Sequence, residues 1–408
     1  MLDLSSFSAA LKFKYDQKYI QRICYKDNPL LALMPKDTKF DGLNRTIALR
    51  YGTPQSRSAT GDVVFGTPAK AGSYGKFLIQ RVSDYATATI TGETIKASEN
   101  NSGALMRAVS EEIDGALHSL QRSLAISMYR NGGGAIGVIG SLSSSGALTD
   151  NVITLATVTD VTNFENNMTL QFAATDGTSG TAPSVSNTAT IVGIDRINGI
   201  LTTDVNVTTV NGAVGRWIFA EGDFGKKITG LDGWVPATAP TSASPTFFGL
   251  DRSVDSTRLG GVRYDGQGGP IEETLIDAIS LVSREGGTVD YVFMNNLDRA
   301  NLIKALGSKV FYNRVESNVA GISFKVIEIE GDKGTIKVIS DQNCPKGVAY
   351  GLQLDTWLLN SLGEAPQILD LDGNKMLRES SHDAYTIRMG YYGQVSCDAP
   401  GYNVRITL

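Results

Sequence analysis

His118 and His382 are the two histidines of the chain, and His382 is followed directly by Asp383. An imidazole oriented by a carboxylate can serve as the base of a hydrolytic triad, but adjacency in sequence does not aim it at a nucleophile. No Gly-x-Ser-x-Gly elbow accompanies the pair. Gly132, Gly134 and Gly137 spell G-x-G-x-x-G, the spacing that cradles a pyrophosphate when a strand leads in and a helix leads out. Here a helical segment leads in, so dinucleotide binding is not expected. Gly222-Asp-Phe-Gly-Lys-Lys227 resembles half of a phosphate loop without completing G-x-x-x-x-G-K-[ST], and reads as a turn with exposed lysines. Asp370-Leu-Asp-Gly-Asn-Lys375 opens like a calcium loop, yet Ser381 stands where the closing glutamate belongs; Asp-Gly-Asn is turn chemistry by itself. Glu111, Glu112 and Asp114 could pair as acid and base, but on a long helix they read as a solvated face, with Glu112 and Asp114 near His118.

The three cysteines, Cys24, Cys344 and Cys397, are far apart and form no Cys-x-x-Cys pair, so neither a disulfide framework nor a zinc site is expected. No catalytic, cofactor or metal site emerges. The amino terminus lacks a basic segment followed by an apolar one, and no stretch of about 18 apolar residues occurs, so neither export nor membrane spanning is expected. Asn44, Asn100, Asn167 and Asn206 head N-x-S/T triplets that export alone would make meaningful.

Charge is unevenly spread around a net of −5. Between Met1 and Arg50 nine Lys/Arg face five Asp, a balance of +4, whereas Asn131–Asp195 holds no Lys or Arg beside five carboxylates. The two regions are built for different surroundings. Lys12, Lys14, Lys18, Arg22 and Lys26, interleaved with Tyr15, Tyr19 and Tyr25, could contact phosphates nonspecifically, or pair with acidic neighbours.

The elements expected to carry these groups follow from periodicity. Residues 1–40 read as an extended arm ending in an apolar anchor between prolines, Asn28-Pro-Leu-Leu-Ala-Leu-Met-Pro35. Alternation in Thr46–Tyr51 and Thr87–Thr91, around a Gly/Ser/Thr-rich middle, predicts a long two-stranded excursion that cannot make its own core. Leu105, Val109, Ile113, Leu117, Leu120, Leu124 and Met128 share one face of a helix over 97–130, closed by Gly132-Gly-Gly. Between 135 and 236 short β-branched runs at close spacing predict a small barrel or sandwich. From 250 onward helices (270–282, 297–306) alternate with strands (291–294, 322–329, 334–340, 348–354, 366–371, 383–395), giving an α+β half with a mixed sheet.

This order resembles the major capsid proteins of tailed bacteriophages with the Hong Kong 97-type fold. The resemblance is carried by Asn28–Lys36, Arg81-Val-Ser-Asp-Tyr-Ala86, the 97–130 helix, Ile228-Thr-Gly-Leu-Asp-Gly-Trp-Val-Pro236, Asp255–Gly261 and the tail from Pro345 through Trp357 to Tyr391-Tyr-Gly393. It implies an N-arm (1–40), an E-loop (41–95), the spine helix of a peripheral domain (96–131), an inserted β-barrel-like domain (132–236), an axial domain (237–365) and peripheral return strands (366–408).

The resemblance further implies a virion shell of hexamers and pentamers around double-stranded DNA, assembled without cofactors in the bacterial host cytoplasm. A separate scaffolding protein, a portal and a decoration protein are the implied partners. Lys12, Lys14, Lys18, Arg22 and Lys26 would face the DNA, and Lys70, Tyr74, Lys76 and Arg81 would lie on the assembly loop, joined non-covalently. An encapsulin-type compartment shell and a β-rich enzyme are the alternatives.

Overall fold

The computed structural model describes residues 20, 25–60, 65, 71–93, 102–242, 244–307, 312–316, 323–331, 333–370 and 376–408. The apolar anchor is a short helix, α1 (Pro29–Leu33), that turns its leucines into the protein interior. It leads into β1 (Lys36–Asp37), then β2 (Asn44–Gly52) and β3 (Ser73–Gln80), which pair antiparallel as a hairpin. The next strand, β4 (Val82–Thr91), leaves the hairpin. Thr46–Tyr51 therefore pairs with β3 and not with Thr87–Thr91, because Arg81 breaks the run and lets β4 enter another sheet.

The long helix α2 (Ser102–Tyr129) buries Val109, Ile113, Leu117, Leu120, Leu124 and Met128, and exposes Glu111, Glu112 and His118. Its exit through Gly132 and Gly134, both at positive φ, opens directly into β5 (Ala135–Ser145). β5, β6 (Leu148–Leu155), β7 (Thr169–Ala173), β8 (Ala189–Asp195), β9 (Ile200–Thr203) and β10 (Trp217–Ala220) close into a barrel in the order β10-β5-β6-β9-β8-β7. Phe164, Phe172, Ile153 and Ile218 fill it, and Ile126 of α2 joins the same cluster.

The barrel strands end at Ala220. Ile228, the short helix α3 (Leu231–Trp234) and Val235 instead belong to the main core, so the barrel ends short of the expected boundary at 236. Pro and Gly in that segment mark a tight turn against the core, not a linker.

Beyond lie β11 (Val262–Asp265), α4 (Ile271–Arg284), β12 (Tyr291–Met294), α5 (Asn296–Leu306), β13 (Tyr312–Glu316), β14 (Ser323–Gly331), β15 (Gly334–Ser340), β16 (Val348–Leu352), β17 (Trp357–Ser361), β18 (Gln367–Ile368), β19 (Leu377–Arg378), β20 (Ala384–Cys397) and β21 (Val404–Thr407). Helix α4 starts after Pro270 with Glu272 and Glu273 in its first turn and ends on Arg284, matching the helix dipole. A mixed seven-stranded sheet runs β11-β21-β16-β12-β15-β14-β13, with α4 and α5 packed on one face. Its other face contributes Phe293, Ile339, Tyr350 and Leu352 to the main core. A second sheet of six strands forms around β20, which pairs with β4, β17, β18 and β19, while β1 lies parallel to β17. The chain weaves between the two sheets: β17 sits in the six-stranded one, and β21 returns to the seven-stranded one.

Candidate assembly site

The hairpin β2–β3 is a two-stranded sheet of its own, paired with no other strand among the described residues. Along β2 exposed and half-buried residues alternate, without one buried position, while at the root of β3 Phe77 and Ile79 are fully buried. Phe77 meets Trp234 edge to face at 5.1 Å, and Trp234 meets Phe247 at 5.0 Å and Trp357 at 6.3 Å. Arg252 lies 3.8 Å over the Phe247 ring and donates to the carbonyls of Gly233 and Trp234. Leu78 N donates to Phe248 O at 2.9 Å, so the 247–250 turn clamps the root. Contacts continue outward from the root: Ile47 and Leu49 pack against the main core, and Arg258 donates to Tyr51 O at 2.7 Å near the far end of β2. Further out, Tyr74 is 67% exposed and Lys76 is exposed on the same face. Arg81 is part of the clamp: it donates to Phe40 O at 2.9 Å and stacks on the Phe40 ring. Lys70 lies outside the described residues.

A second polar centre secures the arm anchor. Asp341, fully buried, accepts from Tyr129 Oη at 2.9 Å, from Asn343 N at 2.9 Å and from Leu30 N at 3.4 Å, so α1, α2 and the 341–344 turn share one carboxylate. Burial pushes its pKa up, against the pull of those donors. Asn343 also donates to Asn28 Oδ1, and Tyr25 donates to Ala365 O at 2.7 Å. Lys36 lies 4.4 Å over the Tyr25 ring, and burial lowers its ammonium to about 8. Of the basic arm residues, Lys26 is exposed; Lys12, Lys14, Lys18 and Arg22 lie outside the described residues, as do Tyr15, Tyr19 and Cys24.

A third centre joins the barrel exit to α2 and β4. Lys227, expected as an exposed turn lysine, is buried; Lys226 is the exposed one. Lys227 Nζ bonds Asp84 Oδ2 at 2.6 Å, Ser123 Oγ at 2.7 Å and Asp223 Oδ1 at 3.2 Å. The ammonium is drawn inward because Asp84 sits on the inward parity of β4, with Val82, Ala86, Ala88 and Ile90, where an unpaired carboxylate is costly. That parity was the available signal. The partner, 143 positions away, gave none. Burial, then the nearby Asp84 charge, lifts Asp223 to about 6 against the pull of Lys227. These groups border a cavity of about 590 Å³ between α2, β4 and the barrel.

The remaining motifs are structural. A Cβ at Gly133 would fall 2.0 Å from Asp176 O and one at Gly134 2.3 Å from Asp223 O, so the glycines let the helix end seat against the barrel rim. His382 Nδ1 is 2.9 Å from Ser381 Oγ, but Asp383 faces Arg378, and all three of Ser381, His382 and Asp383 are exposed. Residues 371–375 of the calcium-like turn are outside the described set. Among the described residues no three His, Cys, Asp or Glu side chains gather as metal ligands would, and no helix is long and apolar enough to cross a membrane.

A fold of two interwoven sheets, one long helix and a separate two-stranded hairpin is the fold of a phage capsid subunit. The Cyanophage A-1(L) capsid asymmetric unit matches it with a TM-score of 0.54, at 12% identity, over 93% of this chain and 92% of that chain. The capsid of the native GTA particle (TM-score 0.45, 6% identity, 94% and 90% covered) and that of Myoviridae phage XM1 (0.42, 7%, 93% and 91%) also match. No curated protein matches the chain in sequence. Residues 156–374, more than half of the chain, match the SU10 major capsid protein family, and the chain belongs to that family. Its role is structural, as a subunit of the virion capsid, which the compartment-shell and enzyme alternatives do not share.

Proposed function

We propose that the chain builds the icosahedral head of a tailed phage in the Hong Kong 97 manner, with the β2–β3 hairpin as E-loop and α2 as spine helix. In this reading the six-stranded sheet belongs to the peripheral domain, the seven-stranded sheet with α4 and α5 forms the axial domain, and the barrel is an inserted domain on the outer surface. The hairpin carries the reading. A two-stranded ribbon is marginal in water, and this one packs one side on the body while β2 has no buried position and Tyr74 and Lys76 stay exposed, so a neighbouring subunit covers the open side. Subunits join non-covalently as hexamers and pentamers, with Tyr74 and Lys76 on the contact face. The basic arm, from Lys12 to Lys26, lines the inner wall against double-stranded DNA. A separate scaffolding protein and a portal serve assembly in the bacterial cytoplasm, and a decoration protein docks outside.

The test is to replace 53–72 by a short turn and compare the products by sedimentation and electron microscopy. The full chain is expected to give closed shells and the shortened chain a folded, unassembled subunit. Intact shells from the shortened chain would overturn the role of the hairpin.

A further inference from the structure

The six-stranded sheet ends on a bare edge. Leu362 N, Leu369 N and Glu379 N donate to the carbonyls of Tyr392, Arg388 and Ala384, so the even-numbered backbone of β20 points to β17, β18 and β19. Its odd-numbered backbone points to β4, whose Asp84, Ala86, Ala88 and Ile90 stand opposite Tyr391, Met389, Ile387 and Tyr385; Gly92 N extends this ladder to Asp383 O at 2.7 Å. The alternate residues Ser83, Tyr85, Thr87 and Thr89 therefore turn their backbone N–H and C=O groups outward, and no strand meets them among the described residues. Tyr85 N falls back on the carboxylate beside it, Asp84 Oδ1, at 3.0 Å. Free edges are ordinarily blunted by proline, lysine or a bulge. β4 has none of these along Val82–Thr91 and keeps an unbroken register.

The space beside this edge has room for another strand. The cavity of about 590 Å³ opens along Asp84–Ala86, where Gly115 and Ser119 of α2 take up little space and Ile126, Ile136 and Met168 give an apolar lining. The chain also holds a segment of matching pattern: Leu11-Lys12-Phe13-Lys14-Tyr15 alternates apolar residues with lysine at the period of a half-buried strand. That segment precedes Tyr25, whose hydroxyl donates to Ala365 O at 2.7 Å just ahead of β18, and β1, which follows, lies against β17. β17 and β18 are on the side of β20 away from β4. The arm thus starts from one edge of the sheet, and the bare edge is the other.

We propose that residues 11–15 of a neighbouring copy add to the open edge of β4 as a further strand, bonded through the main chain to Ser83–Thr89. Leu11, Phe13 and Tyr15 turn into the cavity, and Lys12 and Lys14 lie on the open face of the sheet beside the exposed Thr87, where they remain free to meet DNA. The proposal rests on the shell reading of the preceding section and names the partner of its arm. Extended chain between Tyr15 and Tyr25 spans up to roughly 35 Å, enough to bridge to an adjacent copy. The arm's own β4 lies back across the sheet from where the arm starts. Because arm and open edge occupy opposite flanks of one sheet, the contact is heterologous, the kind that closes a ring when its rotation allows.

The test places a benzophenone side chain at position 87 of the full chain, irradiates the assembled particles and reads the products on a denaturing gel and by mass spectrometry. The expected result is chains joined to one another, with the new bond inside residues 9–17 of the second chain. Attachment within one chain, to other residues, to another protein or to nothing overturns the added strand and leaves the shell reading standing. Failure of the unmodified chain to form particles removes the shell reading and the contact built on it. Should the position-87 variant not assemble, the same side chain at position 14 reads the contact from the other partner: attachment to 83–89 of another chain supports it, and any other result overturns it. Hydrogen exchange gives a second readout on the unmodified chain. The amides of Ser83, Tyr85, Thr87 and Thr89 are expected to exchange about tenfold more slowly, or slower still, in particles than in unassembled subunits. Equal rates in the two overturn the proposal.

Discussion

Asp223 is the residue whose ionisation the fold resists most visibly near neutral pH. Its carboxyl titrates at about 6 in the folded chain, above the ordinary 3.8, so the stability linked to its protonated form is present below about pH 4 and lost as pH rises through 6. A shift of this size corresponds to roughly 2 kcal/mol after allowing for partial solvent access. Asp223→Asn is expected to gain about that much relative to the parent between pH 4.5 and 7.5, measured by urea unfolding of the subunit; a difference that does not change with pH would refute the assignment. Lys227→Met should act in the opposite sense, costing about 3 kcal/mol at pH 7.5, because it leaves the half-buried Asp84 and Asp223 without their cation. Of this centre the sequence held a signal for only half: the inward parity of Asp84 on β4 could have marked it and was not read, whereas Lys227 looked like any lysine after a glycine turn. Asp341 was likewise hidden, as its donors Tyr129 and Leu30 approach from distant parts of the chain.

Helices α2 and α4 were legible because their own periodicity decides their buried faces, and strand β12 because Tyr-Val-Phe-Met is a short apolar run, buried on both faces of its sheet. Strand pairing was not, since the partner of Thr46–Tyr51 depends on where the Gly/Ser/Thr-rich stretch turns, and nothing local fixes that point. The joint between α2 and the barrel shows how much one glycine can carry. Gly133→Ala would set a methyl 2.0 Å from a backbone oxygen that cannot move aside, and a loss of about 2–3 kcal/mol is expected in thermal unfolding of the subunit. Gly115, within α2 and with open space around its missing side chain, is the control: Gly115→Ala should stabilise by up to about 1 kcal/mol. Equal effects from the two would show that helix propensity, and not the seat of the barrel, governs the joint.

Among the described residues the order of apolar anchor, hairpin, long helix, barrel and α+β half was readable from the sequence, while the weaving of the two sheets was not, because β17 and β21 are short and their membership is set by packing. If the barrel faces outward, brief proteolysis of intact particles should cut the largely exposed Thr175–Asn187 stretch before α2, and protection of that stretch until disassembly would contradict it. If the arm lines the interior, changing Lys12, Lys14 and Lys18 to glutamine should lower DNA retention more than the yield of empty shells, and an equal loss of both would contradict that. The weaving also bears on timing. β20 is the strand that β4, β17, β18 and β19 all require, and β21 separates β11 from β16. Neither sheet can close until residues 384–407 have left the ribosome, so a nascent chain holds no finished surface with which to recruit neighbours, and polymerisation waits on release.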